Sequence, residues 1–244
     1  MKGVILAGGN GTRLHPLTAV TNKHLLPLYN KPVIYHPIEK LVSAGIDRIM
    51  IVTSPHHIND FTSLLGSGQN FISKRTGKQI QIVYAIQNKP SGIADGLYFA
   101  KDYVGNDNVV LYLGDNIIED DITPHIRSFK TGAKVFLKEV PDPKRFGIAT
   151  VDNDMLVTKI VEKPEKPESD FAVVGLYMYD NTVFNKMIGM KQSVRGEYEI
   201  TTVNNRYIDE GTLSALILKK EWFDIGTFDS MLHAGNYMKK KYEK

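Results

Sequence analysis

Apolar positions in the first 113 residues come as short runs separated by stretches of helical spacing. Val4–Ala7 is a continuous apolar run that stops at Gly8, as a buried strand would. Within 34–44, Ile34, Ile38, Leu41 and Val42 share one helical face, and Gly45 supplies a terminator. The same reading predicts a strand over 49–52, a helix over 58–65 that stops at Gly66, strands over 80–86 and 109–113, and a helix over 94–103. Strands alternating with helices require crossover connections, which give a mostly parallel sheet covered on both faces. The predicted fold class is α/β.

The pattern changes near residue 133. Segments 135–137, 147–151, 155–161 and 172–179 are strand-like with only turns between them, and Pro141, Pro143, Pro164 and Pro167 punctuate the region. Helical spacing returns over 183–188, 200–208 and after Phe228. No low-complexity linker and no internal repeat divides the chain. The expectation is therefore one domain over 1–244, with a first half (1–132) built of crossovers and a second (133–244) of strands and hairpins closing over it.

Composition narrows the function classes. At 42% hydrophobic and 23% charged residues the chain is that of an ordinary folded domain. The excess of 30 Lys and Arg over 27 Asp and Glu, +3, is too mild to predict a nucleic-acid partner but tolerates anionic substrates. The absence of cysteine excludes disulfides, zinc ribbons, iron–sulfur clusters and thiol nucleophiles. The N-terminal apolar run is too short for a secretory signal, and no stretch approaches the roughly 18 apolar residues of a membrane helix. A cytoplasmic protein without a membrane partner is expected. The seven histidines form no metal set, since neighbours such as His56 and His57 diverge. Residues 74–78 read as a solvated basic turn and Lys239–Lys241 as a charged helix end.

The segment richest in chemistry follows the first strand: Leu6-Ala7-Gly8-Gly9-Asn10-Gly11-Thr12-Arg13-Leu14. Glycines let a backbone approach phosphate oxygens and offer them N–H groups. A Walker loop would need Gly-Lys-Ser/Thr after its spacer, and Gly11 is followed by Thr12-Arg13. A dinucleotide fingerprint would need glycine where Leu14 stands and an acid near Asn30, which disfavours a dehydrogenase. What remains is a phosphate-type loop with Arg13, then Lys23 ahead of Leu25-Leu26-Pro27. Two cations beside a polyphosphate suit phosphoryl or nucleotidyl transfer, where catalysis is charge neutralisation and alignment. Asp115, after an apolar strand and Gly114, is expected at a strand's C-terminal edge, where open α/β sheets place ligands. Asp224 follows Trp222-Phe223 in a similar position.

Taken together, the glycine loop, Lys23-His24-Leu25-Leu26-Pro27, Tyr84–Gln87, Ser91–Ala94, Leu113-Gly114-Asp115-Asn116, Phe146-Gly147, Val161–Pro164, Val173–Tyr177, Arg195–Thr201 and Trp222–Thr227 resemble the sugar-phosphate nucleotidyltransferases, the thymidylyltransferase branch above all. The likeness runs from Lys2 to about Tyr237. It implies a Rossmann-like sheet and Mg²⁺-dependent transfer of a nucleotidyl group from dTTP to α-D-glucose 1-phosphate, giving dTDP-glucose and pyrophosphate, in a homo-oligomer. UTP in place of dTTP, another hexose phosphate, and a non-catalytic nucleotide-sugar sensor are the alternatives. The resemblance further implies Arg13, Lys23 and Lys163 as the catalytic cations and Asp115 with Asp224 as metal ligands. The nucleotide would be held by Leu6, Gly8, Gly9, Gly11, Thr12, Arg13, Gln87 and Gly92, with Gln87 and Gly92 beside the base. Asn116, Gly147, Glu162, Lys163, Val173 and Glu199 would contact the sugar or its phosphate. Tyr177 and Trp222 are expected to pack rather than recognise. Phe146, Val174 and Thr202 depart from the branch pattern, and the first two are expected near the sugar pocket. The extra helical tail of longer members, with its regulatory site, is not expected.

Overall fold

The structure is a computed structural model that describes residues 1–243. The first half follows the predicted crossovers: β1 (Lys2–Ala7), a short hairpin of β2 (Pro27–Leu28) and β3 (Lys31–Pro32), α1 (Tyr35–Ser43), β4 (Arg48–Thr53), α2 (Ile58–Leu65), β5 (Gln81–Ile86), α3 (Ile93–Tyr98), α4 (Lys101–Val104) and β6 (Val109–Leu113). Strands β6, β1, β4 and β5 lie side by side and parallel, with Val4 opposite both Met50 and Leu111. The helix expected over 94–103 is two pieces, α3 and α4, separated by a turn at Phe99 and Ala100.

The second half comprises β7 (Asn116–Ile118), α5 (Thr123–Ser128), β8 (Ala133–Glu139), β9 (Gly147–Val151), β10 (Val157–Glu162), β11 (Phe171–Tyr179), α6 (Ile200–Asp209), β12 (Leu213–Ile217), β13 (Trp222–Asp224) and α7 (Phe228–Tyr242). The spacing over 183–188 forms 3₁₀ turns, Asn181–Met187, rather than an α-helix. β11 runs antiparallel to β6, which joins both halves in one nine-stranded sheet. One edge of β11 carries β8 along its length, and β12 pairs parallel with β8. The other edge is shared: β6 pairs with Leu176–Tyr179, and β9 meets β11 at Ala172. Between these two neighbours Val173, Val174 and Gly175 are left without a strand on this edge, and β11 bulges over this stretch. That gap is where the site opens.

Strand alternation divides the core between the two sheet faces. Val4, Leu97, Leu111, Val135, Tyr179, Val203 and Tyr207 pack on one face, and Ile5, Ile38, Leu41, Ile51, Phe61, Tyr112 and Met178 on the other. Val174 belongs to the second face and is fully buried there. Contrary to expectation it does not line the cavity that Val173 and Gly175 face, because those two alternate to the opposite side. A smaller core under α7 gathers Leu28, Val33, Ile117, Phe223, Ile225, Ala234 and Met238. It anchors the β7–β13 ribbon, in which Asp224 lies opposite Asn116. The basic turn at 74–78 is tied down by an ion pair between Arg75 and Asp47, and the lysines of 239–241 lie in the last turn of α7.

Asp180, buried at the end of β11, accepts hydrogen bonds from the Gly132 N–H (2.7 Å), the Thr131 hydroxyl (3.0 Å), the Thr182 N–H (3.0 Å) and the Tyr207 hydroxyl (3.0 Å). It joins α6 to the sheet. Removing an acceptor that satisfies several buried donors costs their desolvation, so Asp180→Ala should lower stability by about 2–4 kcal/mol in urea unfolding. A loss below about 0.5 kcal/mol would show that these donors find other partners.

Candidate functional site

Two cavities meet at the C-terminal ends of the parallel strands. The smaller, about 220 Å³, is lined by Leu6, Gly8, Gly9, Lys23, Gln87, Gly92 and Asp115 among others. The larger, about 650 Å³, is lined by Arg13, Asn116, Gly147, Glu162, Lys163, Val173, Glu199 and Asp224, with further residues. Ile93, Leu113 and Glu197 line both. The residues expected to hold the nucleotide and those expected to hold the sugar thus separate into adjoining chambers. Gly11 and Thr12 line neither; they form the entry to the one-turn 3₁₀ helix Thr12–Leu14. Arg13 lines the larger chamber, not the glycine-loop one.

Local chain geometry sets each group. Asn22 ties the loop after β1 back to its strand: its Nδ2 donates to Ala7 O (3.0 Å) and its Oδ1 accepts from the His24 N–H (3.0 Å). Lys23, held between, forms an ion pair with Asp115. His24 is fully buried against this pair. Burial, then the charge of Lys23, drives its pKa down to about 3, so the imidazole is neutral and adds no charge at neutral pH. Gly92, at φ 109°, turns the chain into α3, and a Cβ there would lie 2.5 Å from Tyr198 O, so only glycine fits. Lys163 sits just beyond β10 at φ 44°, a left-handed conformation costly for a lysine, with its N–H donating to Phe146 O (3.0 Å).

The junction carries the sharpest electrostatics. Burial would push the Asp115 carboxyl up, but the adjacent Lys23 ammonium outweighs it and holds the group at about 2. Asp224 moves the other way. Burial and then the negative charge of Asp115 push it up to about 6, against the pull of Lys23, Arg13 and Arg145. The positive end of Arg13 lies across Gly226: a Cβ there would sit 2.8 Å from Arg13 Nη2 and 3.2 Å from Asp224 Oδ2. Two crowded carboxylates, each with hard oxygen donors, suit Mg²⁺ when phosphate oxygens and water complete its shell.

Asn116 lines the larger chamber, yet its amide is engaged by the protein. Its Oδ1 accepts from the Trp222 Nε1–H (2.7 Å) and the Gly175 N–H (3.0 Å), and its Nδ2 donates to Asp115 Oδ1 (3.0 Å). Gly175 is obligatory, since a Cβ there would fall 2.6 Å from Asn116 Cγ. Trp222 packs edge-on against Phe146, both on the chamber wall.

Arg145, Arg195, Glu197 and Thr201, whose roles are not legible in the sequence, also line the larger chamber. Arg195 donates to both carboxylate oxygens of Glu199 at 2.8 Å and to Glu162 Oε1 at 3.3 Å, with Glu197 at 3.5 Å. Thr201 donates to Glu162 Oε2 (3.0 Å). Glu162 and Glu199, expected as sugar contacts, are thereby gathered around one guanidinium. The i, i+4 spacing of Arg195 and Glu199 is the one trace of this cluster in the sequence.

A family model described as nucleotidyl transferase matches residues 2–241. Glucose-1-phosphate thymidylyltransferase of Mycolicibacterium smegmatis is 43% identical over 244 residues, 98% of this chain and 82% of the relative. The Neisseria meningitidis protein of that name is 41% identical with the same coverage. Low-salt glycan biosynthesis nucleotidyltransferase Agl11 of Haloferax volcanii is 36% identical over 238 residues, 96% of this chain and 65% of the relative. A crystal structure described as a glucose-1-phosphate thymidylyltransferase from Bacillus anthracis, in complex with sucrose, superposes with a TM-score of 0.89 at 47% identity, covering 97% of this chain and 94% of that one. Among the described residues no helix is long and apolar enough to cross a membrane.

The raised Asp224 carboxyl gives a stability signature. In metal-free buffer the folded state holds this proton more tightly than the unfolded chain, whose carboxyl titrates near 3.8. Its contribution is fully present below that value and is lost as pH rises through about 6. Asp224→Asn, which cannot ionise, should therefore match the parent near pH 4 and exceed its stability by about 1–3 kcal/mol at pH 7 with chelator present. Urea unfolding at the two pH values checks this, and a variant less stable than the parent at pH 7 would contradict it.

Proposed function

The chain belongs to the nucleotidyl transferase family, and from that premise we propose that it transfers a nucleotidyl group from dTTP to α-D-glucose 1-phosphate, releasing pyrophosphate and forming dTDP-glucose. The observation that carries this reading is the junction itself: a glycine-lined chamber and a larger polar one joined where Lys23, Asp115 and Asp224 converge.

A phosphate oxygen of the sugar phosphate attacks the α-phosphorus of dTTP. One P–O bond forms while the bond to pyrophosphate breaks, and the electron pair leaves on the pyrophosphate oxygen. The attacking oxygen is already anionic at neutral pH, so no general base is needed. The obstacle is repulsion: like unit charges 4 Å apart cost about 4 kcal/mol at an effective dielectric near 20. Lys23 offers its ammonium to the α-phosphate, Lys163 to the sugar phosphate, and Arg13 to the departing pyrophosphate. Gln87 and the Gly92 backbone hold the base, and Gly8 and Gly9 leave room for the nucleotide to lie against the backbone. Glu162 and Glu199, oriented by Arg195, accept from sugar hydroxyls, while Gly147 and Val173 shape the wall around the ring. Asp115 and Asp224 would hold Mg²⁺, which supplies neutralisation of phosphate charge when bound. The whole chain acts as one unit, its two halves meeting across β6 and β11, and a homo-oligomer is the assembly this reading expects.

The test is pyrophosphate release from glucose 1-phosphate with dTTP, UTP and the remaining nucleoside triphosphates in Mg²⁺. Turnover is expected with dTTP, and the dTTP:UTP ratio decides between thymidylyl and uridylyl transfer. Arg13→Ala and Asp115→Asn should each lower kcat/KM at least about 100-fold, as loss of one preorganised charge does. Variants within threefold of the parent would remove these residues from the mechanism. Lys163→Ala should chiefly raise KM for glucose 1-phosphate.

A further inference from the structure

A glutamine amide can present either of two faces, since Oε1 accepts and Nε2 donates, and the residue alone does not decide which one meets a ligand. Gln87 follows the end of β5, with its N–H donating to Thr53 O (2.8 Å) and the residue only 7% exposed. Its Nε2 donates to Asp95 Oδ2 at 2.7 Å. Asp95, in the first turn of α3, lines not the nucleotide chamber but a neighbouring groove beside Tyr98 and Tyr198. An ionised carboxylate has no hydrogen to give, so turning the amide over would set two acceptor oxygens 2.7 Å apart. Asp95 thus holds Gln87 one way round. The carbonyl Oε1 is left facing Gly8 on the chamber wall, where a Cβ would lie 3.2 Å from it.

We propose that Asp95 is a specificity-determining positioning residue: by locking the Gln87 amide it makes the nucleotide chamber accept a base that turns an N–H toward Oε1 and reject one that turns an acceptor there. Thymine and uracil present N3–H at that edge, whereas the N3 of cytosine is an acceptor. Two acceptors facing each other in a buried site leave both unpaired, which discriminates far more strongly than an apolar wall. The proposal rests on the reading that the base lies in this chamber. Asp95 acts through Gln87 and touches no reacting atom. It does not separate thymine from uracil, because the two share the N3–H.

Asparagine at position 95 can donate or accept, which frees Gln87 to turn. With glucose 1-phosphate as acceptor, the parent should prefer dTTP over dCTP in kcat/KM by at least about 100-fold, and Asp95→Asn should shrink that ratio at least about tenfold while moving the dTTP:dUTP ratio less than about twofold. The pair Gln87→Glu with Asp95→Asn again places an acceptor toward the base, now held by an asparagine N–H, and should recover the dTTP preference lost in the single variant. A generally loosened site would not recover. Calorimetric binding of dTTP and dCTP to the unaltered protein needs no variant to fold, and equal affinities would overturn the proposal. So would an active parent whose Asp95→Asn variant keeps its dTTP:dCTP ratio within twofold, and that outcome leaves the proposed function standing. A parent that releases pyrophosphate from no nucleotide overturns the proposed function, and this inference with it.

Discussion

Repulsion between the buried carboxylate of Asp115 and the half-buried one of Asp224 organises the centre of this molecule. Asp115 and Asp224 arrive from different parts of the chain, one after β6 and the other at the end of β13, and the β7–β13 ribbon fixes them side by side. Burial and proximity together make full ionisation of both unfavourable. The structure answers with cations: Lys23 paired to Asp115, and Arg13 and Arg145 near enough to Asp224 to pull its proton affinity down. The same arrangement is suited to the reaction, because a junction built to manage excess negative charge is where two phosphate-bearing substrates can meet. A supporting layer keeps it in place. Asn116 spends its carbonyl oxygen on Trp222 and Gly175, so that its N–H points at Asp115.

The gap in the sheet explains why the chambers lie where they do. β6 and β9 compete for one edge of β11 and neither covers Val173–Gly175. In a continuous sheet those backbone groups would be paired with a strand. Here one of them, the Gly175 N–H, turns to Asn116 instead, and Val173 faces the cavity. The larger chamber is thus a consequence of strand arrangement as much as of side-chain choice.

Much of this was legible in the sequence. Segments with a clear apolar pattern announced themselves: the helix over 58–65 and the strands over 109–113 and 147–151 coincide with the observed elements. The glycine loop, Lys23, Asp115 and Asp224 were visible as chemistry and do converge. What stayed hidden was short or tertiary in origin. β7 and β13 have three residues each, too few for any periodicity, and their pairing brings together positions 116 and 224. α5 and β12 are also brief, and α5 has only six residues and opens on Thr123-Pro124. The alternation that sends Val174 into the core while Val173 faces the chamber is set by how β11 lies between β6 and β8, and a run of three small apolar positions does not reveal that. Arg145, Arg195 and Thr201 resemble ordinary surface residues until the fold sets them on the chamber wall, and Asp95 is an unremarkable first-turn acid until it is seen bonded to Gln87.

The coupling of the two carboxylates can be read directly by following the Asp224 carboxyl carbon through a pH titration by NMR, in the parent and in Asp115→Asn. In metal-free parent the group should titrate near 6, fall toward the ordinary carboxylate range when the Asp115 charge is removed, and fall again in the parent when Mg²⁺ is added. An Asp224 that titrates near 3.9 and is indifferent to both changes would contradict the account at its centre.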